Sequence, residues 1–269
     1  MAEGKKGIKG PLMLFSGIDI GSRTAKLVLL DDGGNIVFSK IIETVASTSA
    51  VYSSLISAIP VELRNKICKT AVTGYGRESA PSECLKVTEI TCHHLGVTLF
   101  HPGIRTIIDI GGQDSKIITV DTSGRIRDFI MNDRCAAGTG RFLEVMCDRI
   151  GYTLEEFADL DISSVEPVTI NSTCTVFAES EVISLISKDV QKTVIASSLA
   201  RMASLNTFSM ASKLHPQGPF FMSGGVSKIK PVVHHLEKNF ASVIKTDNNS
   251  QYMGAIGAAV FALRKKEEK

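Results

Sequence analysis

Two short stretches place an aspartate, an isoleucine and a glycine in a row: Asp19-Ile20-Gly21 and Asp109-Ile110-Gly111. An apolar run precedes each, so each aspartate is expected at the end of a strand beside a tight turn. Glycine there lets backbone N–H groups approach a phosphate closely. After the first stretch, Ser22, Arg23 and Thr24 add donors, the arginine as a planar fork suited to oxyanions. After the second come Gly112, Gln113 and Asp114. A carboxylate next to phosphate is repulsive unless a cation lies between them. Asp19 and Asp109 are therefore expected to act through Mg²⁺ and its waters, as two loops clamping a triphosphate. A third glycine-rich turn, Ser223-Gly224-Gly225-Val226, follows a short apolar run. A G-x-x-x-x-G-K-[ST] phosphate loop is absent from the sequence.

The elements that must hold these turns read the same way twice. Leu12 to Ile18, Lys26 to Leu30 and Ile36 to Phe38 are apolar runs separated by the first turn and by Asp31-Asp32-Gly33-Gly34. Ninety residues on, Arg105 to Ile108, Lys116 to Val120 and Ile126 to Ile130 repeat the pattern without a gap. Asp19/Asp109, Ile20/Ile110, Gly21/Gly111, Lys26/Lys116, Asp31/Asp121, Gly34/Gly124 and Ile36/Ile126 are identical pairs. The register predicts an internal duplication with two like-folded halves facing each other. Helices are expected over Ser53 to Ile59, Ser82 to Val97, Gly140 to Ile150, Thr175 to Val190, Lys192 to Leu214 and Tyr252 to Leu263, and a short strand over Pro219 to Met222. The fold class is α/β. Residues 1–11 are expected to be disordered, 12–100 to form a first domain and 101–269 a second, with the last helix able to cross back onto the first.

Composition narrows the function. The 269 residues are 43% hydrophobic, enough for sizeable cores, and the net charge is +2. No basic excess points to nucleic acid. No apolar stretch is long enough to span a bilayer, and the start lacks a signal peptide's apolar segment, so a cytoplasmic protein is expected.

Six cysteines in such a chain do not read as a disulfide framework. Cys68, Cys84, Cys92 and Cys147 are taken as structural thiols. Cys135 and Cys174 each stand just before an expected helix, where N–H dipoles stabilise a thiolate. They are either buried helix-cap cysteines or half of what a [4Fe–4S] cluster needs, with two chains about a two-fold axis supplying four. His93-His94 and His234-His235 are read as surface or interface residues, since adjacent positions on a helix diverge.

The phosphate turns resemble those of the actin, hexokinase and Hsp70 ATPase superfamily. Phe221 to Pro231, including Ser223-Gly224-Gly225, is similar to its adenosine motif, Glu89-Ile90-Thr91 to its first connecting motif, and Gly254 to Ala259 to its second. The resemblance implies two duplicated ribonuclease-H-like domains, an actin-like ATPase fold with a nucleotide cleft between them. Glu89 is then either the acidic residue that positions water or metal, or a plain helix-surface glutamate. Gln113 either orients the attacking water or hydrogen-bonds phosphate.

The stretches Asp109 to Lys116, Asn132 to Glu144 and Cys174 to Glu181 resemble one branch in particular, the activators of 2-hydroxyacyl-CoA dehydratases, which includes the ATPase subunits of benzoyl-CoA reductase. This resemblance implies ATP hydrolysis, binding of ATP or ADP with Mg²⁺, and a homodimer. It further implies one [4Fe–4S] cluster held by Cys135 and Cys174 of each subunit. One-electron transfer would run to an iron–sulfur dehydratase or reductase, with ferredoxin or flavodoxin as donor. Gly138-Thr139-Gly140 is expected to link phosphate to the cluster. The competing expectations are a small-molecule kinase, for a sugar or a carboxylate, and a nucleotide-dependent scaffold without redox chemistry.

Overall fold

A computed structural model describes residues 12–45, 47–133, 136–171 and 175–266. The expected disordered start, Cys135 and Cys174 all lie outside the described residues. In chain order the elements are β1 (Leu14–Ile20), β2 (Thr24–Asp31), β3 (Ile36–Glu43), α1 (Thr48–Ser57), α2 (Val61–Arg64), β4 (Ile67–Thr73), β5 (Leu85–Lys86) and α3 (Glu89–Phe100). They continue with β6 (Thr106–Ile110), β7 (Ser115–Val120), β8 (Ile126–Asn132), α4 (Gly140–Ile150), α5 (Leu154–Ala158), α6 (Thr175–Ser187) and α7 (Lys192–Ser212). The chain closes with β9 (Phe220–Ser223), α8 (Lys230–Phe240), β10 (Ile244–Lys245) and α9 (Met253–Arg264). Short 3₁₀ turns lie at Tyr75–Ser79, Gly225–Lys228 and Ser250–Tyr252.

The strands form two five-stranded sheets, β3-β2-β1-β4-β5 and, read from its β8 edge, β8-β7-β6-β9-β10. The same order with the same antiparallel and parallel pairings makes the second sheet a copy of the first. The copy extends to single atoms. Asp31 Oδ1 accepts from the Gly33 and Asn35 amides, and Asp121 Oδ1 from the Ser123 and Arg125 amides. Gly34 and Gly124 close these hairpins at φ 81° and 78°, a region that favours glycine. The likeness also covers a part the sequence pattern missed. β4 and β9 both run parallel to the aspartate strand, and both end in a glycine at positive φ, Gly74 and Gly224.

Two expected helices are placed differently. The chain over Ser82 to Lys86 holds a turn and β5. The helix starts only at Glu89, because Thr88 caps it by accepting from the Thr91 amide. The first helix begins at Thr48, capped by Ser47, and ends at Ser57. β4 reads as polar in sequence because only Ala71 to Thr73 are buried along it.

α3 and α9 lie between the sheets. Val28 and Leu30 from the first sheet, Ile107, Ile118 and Phe221 from the second, and Leu95, Val97, Ile256 and Ala259 from the two helices share one core. The helices cross at two glycines. A Cβ at Gly96 would overlap the Met253 carbonyl, and one at Gly257 would overlap that of Cys92. α9 packs on β1, where a Cβ at Gly17 would overlap Ala255. A separate core joins the second sheet to α4, α7 and α8, and another joins the first sheet to α1. Among the described residues no helix is long and apolar enough to cross a membrane.

Candidate functional site

The two Asp-Ile-Gly turns face each other at the ends of β1 and β6. Gly112 sits so close to Arg23 that a Cβ there would run into that side chain, and would lie 3.3 Å from Ser22 Oγ. Arg23 Nη2 donates to Glu144 Oε1 on α4, across the two halves. The turns are therefore contiguous, as two loops gripping one phosphate chain must be.

Asp19 and Asp109 are both buried, at 7% and 2% exposure. Each has a lysine directly across the hairpin, since Asp19 pairs with Lys26 and Asp109 with Lys116. The two lysines differ in use. Lys26 Nζ is 3.9 Å from Asp19 Oδ2. Lys116 Nζ is 2.8 Å from Glu89 Oε2, 2.7 Å from Asp114 Oδ2 and 3.4 Å from Asp109 Oδ2. Burial disfavours the charged lysine, but Asp109, Glu89 and Asp114 outweigh it and hold the Lys116 ammonium well above its ordinary range.

The aspartates differ too. Burial pushes the Asp19 carboxyl up. Lys26 and His93 oppose the shift while Glu89 and Asp109 add to it, and the net shift is upward. Burial acts on Asp109 as well, but His93, Lys116, the Ser223 hydrogen bond and Lys26 together hold it below the ordinary carboxylate range. The influences on Asp19 come from both halves of the chain, so the expected site residues Asp19, Asp109 and Glu89 do converge.

The remaining expected residues fall as follows. Gly21, Ser22 and Thr24 line the first turn, and Gly111, Gly112 and an exposed Gln113 the second. Ser223 is fully buried and donates to Asp109 Oδ1 at 2.8 Å. Gly224 packs against the Ile110 carbonyl at φ 85°, and Gly225 follows beside the Gln251 side chain. Val226 points into the core beneath α4, at 1% exposure, and so supports the third turn from below. The Gly140 and Arg141 amides donate to the carbonyls of Gly111 and Gly112 at 2.9 and 2.8 Å. Thr139 is fully buried, and its amide and hydroxyl both donate to Ala136 O. Gly138 packs on Ala203 of α7 at φ 95°. Gly138-Thr139-Gly140 thus ties the second turn to α4 and α7.

Three groups escaped the sequence reading. Lys116 and Lys26 stood among the repeat identities without a role, and Asp114 was treated only as a turn residue. His93 was expected at the surface or at an interface and is 6% exposed, with Nδ1 3.0 Å from Ser223 Oγ and 3.3 Å from Asp109 Oδ1. His235, also expected at the surface or at an interface, is 5% exposed against Ser197 of α7. Both are buried because their helices pack on two sides. Of the cysteines taken as structural, Cys84, Cys92 and Cys147 are buried and Cys68 is exposed. Burial pushes Cys92 and Cys147 up to about 12, so they stay thiols. Among the described residues no group of three or more His, Cys, Asp or Glu side chains is placed to hold a metal ion.

The pattern of the BadF/BadG/BcrA/BcrD ATPase family matches residues 16–262. The chain belongs to this ATPase family. Within it, the protein is 41% identical over 263 residues to the activator of lactoyl-CoA dehydratase of Anaerotignum propionicum, covering 96% of this chain and 100% of that one. It is 39% identical to the (R)-2-hydroxyglutaryl-CoA dehydratase activating ATPase of Acidaminococcus fermentans, covering 93% and 96%. Among solved structures, this ATPase superposes on the Clostridium difficile activator of 2-hydroxyisocaproyl-CoA dehydratase with bound ADPNP. The TM-score is 0.87 at 38% identity, over 95% and 96% of the two chains. A Streptomyces griseus glucokinase, at TM-score 0.58 and 15% identity, shares the fold of this ATPase alone.

Proposed function

We propose that this protein is an ATP-driven reductive activator. It would couple ATP hydrolysis to one-electron transfer, at very low potential, into an iron–sulfur 2-hydroxyacyl-CoA dehydratase or a related acyl-CoA reductase. The observation that carries the reading is the tie between the second phosphate turn and α4, through the Gly140 and Arg141 amides. Cys135 lies five residues before Gly140, and Cys174 immediately precedes α6. α4 and α6 are neighbours, joined by Arg149 Nε to Glu179 Oε1 at 2.6 Å. A change in grip at Gly111 and Gly112 therefore reaches α4 and, through Arg149 and Glu179, α6, the helices that follow Cys135 and Cys174 in the sequence. The relatives named above, activators of acyl-CoA dehydratases, support the same reading.

Thiolates are the donors that the cluster implied by the family resemblance needs. The resemblance implies that Cys135 and Cys174, one pair per chain, are its ligands. Two such pairs in a homodimer would hold one [4Fe–4S] cluster, which would supply a one-electron carrier. The chain's own residues do the rest. Ser22, Arg23, Thr24 and the amides around Gly21, Gly111 and Gly112 bind the phosphates, while Gly224 and Gly225 border the adenosine and the buried Ser223 supports them on Asp109. Asp19 would hold the waters of Mg²⁺. Gln113 and Glu89 orient the attacking water, and phosphate leaves to water. Loss of the γ-phosphate contacts changes the angle between residues 12–100 and 101–269. Ferredoxin or flavodoxin serves as donor in the cytoplasm.

Anaerobic purification tests the reading. A brown homodimer with about four irons, hydrolysing ATP and reducing its partner, is expected. Cys135→Ala should lose iron and electron transfer while still hydrolysing ATP. A Cys135→Ala protein that keeps its iron and reduces its partner overturns the cluster assignment.

A further inference from the structure

The duplicated fold makes the two aspartate turns equivalent, and one position on the connecting helices breaks the equivalence. α3 and α9 cross symmetrically, Gly96 over the Met253 carbonyl and Gly257 over the Cys92 carbonyl. That exchange makes Cys92 the counterpart of Met253 and, one residue on, His93 the counterpart of Gly254. The counterparts face the counterpart aspartates. A Cβ on Gly254 would lie 2.8 Å from Asp19 Oδ2 and 3.2 Å from His93 Nε2, so the absence of a side chain leaves room beside that buried carboxylate. His93 instead puts an imidazole beside Asp109, with Nδ1 3.3 Å from Oδ1.

Proton counting defines what His93 does there. Ser223 has a single hydroxyl proton, and it goes to Asp109 Oδ1 at 2.8 Å. The 3.0 Å contact between Ser223 Oγ and His93 Nδ1 then needs its proton from the histidine, so Nδ1 carries hydrogen. A donor from α3, a donor from the third turn and the Lys116 ammonium together surround the Asp109 carboxylate. Asp19, opposite a glycine, has no such hydrogen-bonded bracket among the described residues: its ion-pair contact is Lys26 at 3.9 Å, with His93 Nε2 on the Gly254 side.

We propose that His93 is a positioning residue for ATP hydrolysis, which through its Nδ1–H, Ser223 and Asp109 fixes the second phosphate turn and leaves Asp19 as the carboxylate free to hold the cation's waters. This rests on the reading of the two turns as the ATP site. The effect should fall on turnover rather than on nucleotide capture. The phosphate-binding amides and Arg23 are untouched, while the geometry around the reacting phosphate depends on a turn held to within a fraction of an ångström.

The test compares His93→Asn, His93→Gln and His93→Leu in steady-state hydrolysis of MgATP by the full-length protein, with melting temperatures in parallel. Asparagine places an amide N–H where Nδ1 was. Glutamine reaches the Nε2 position and lacks that donor, and leucine has none. The expected result is kcat within about threefold of wild type for H93N and a loss on the order of tenfold or more for H93Q and H93L, with KM nearly unchanged. If H93L fails to fold, the contrast between H93N and H93Q decides alone. Wild-type kcat in H93Q, or a loss in H93N as deep as that in H93Q, overturns the proposal. A wild-type protein that does not hydrolyse ATP overturns the site reading itself, and with it this role.

Discussion

The Lys116 ammonium lies 2.8 Å from the Glu89 carboxylate, binding the first turn of α3 to the strand that follows the second phosphate turn. Lys116 is 1% exposed and also meets Asp109 and Asp114. Its value to the fold is that three carboxylates share one buried cation. Removing it orphans the buried Asp109 carboxylate, while Glu89 and Asp114, at 21% and 29% side-chain exposure, keep contact with water.

Lys116→Met should therefore cost about 2–4 kcal/mol, toward the low end of the penalty for orphaning one buried charge, since Asp109 keeps Ser223 and His93. Urea unfolding of wild type and variant at neutral pH checks this. A variant within about 1 kcal/mol of wild type would show that these carboxylates are well solvated in the absence of the lysine.

The crossing of α3 and α9 leaves no room for a methyl group. Gly257→Ala drives a Cβ into the Cys92 carbonyl, a backbone atom that can yield only if the helices separate. A loss of about 3 kcal/mol, or failure to accumulate folded protein, is expected. Gly225→Ala is the control, since its Cβ would meet only the Gln251 side chain at 3.7 Å. That variant should melt within a few degrees of wild type.

His235 supplies a pH dependence. Burial first, then the positive charges of His234, Lys238 and Arg201, lowers it to about 4 from 6.5. A base whose folded value lies below its unfolded value binds more protons when unfolded. Stability from this residue is then fully present above about pH 6.5 and is lost as pH falls toward 4. Thermal melts between pH 7 and pH 4.5 should fall in wild type by an amount on the order of 1–2 kcal/mol that is missing in His235→Asn. Parallel pH profiles for the two proteins would remove His235 as the cause.

Much of the architecture is local and so was legible in the amino-acid order. The ninety-residue register from Asp19 to Asp109 predicted two like halves, and the sheets repeat one strand order. Glycine at a strand end is a demand of backbone geometry, and an apolar run followed by Asp-Ile-Gly states it in consecutive residues. α4 was delimited at Gly140 and Ile150 because its apolar positions recur at helical spacing. β4 and β5 escaped because their stabilisation comes from neighbours across the sheet, not from apolar residues in sequence.

Function divides in the same way. The sequence alone determined which residues can meet phosphate, because carboxylate, glycine and donors sit within six positions of each other at both turns. It also marked Lys26 and Lys116 as a repeated pair without a use. Tertiary structure alone decided that Lys116 answers Glu89 as well as Asp109, and that His93 lies between the halves rather than at the surface. Those contacts join residues far apart in the chain, through helix crossings that require glycine at Gly96 and Gly257. Side-chain types give no signal of such a meeting, because burial and proximity arise only when two sheets close on the same pair of helices.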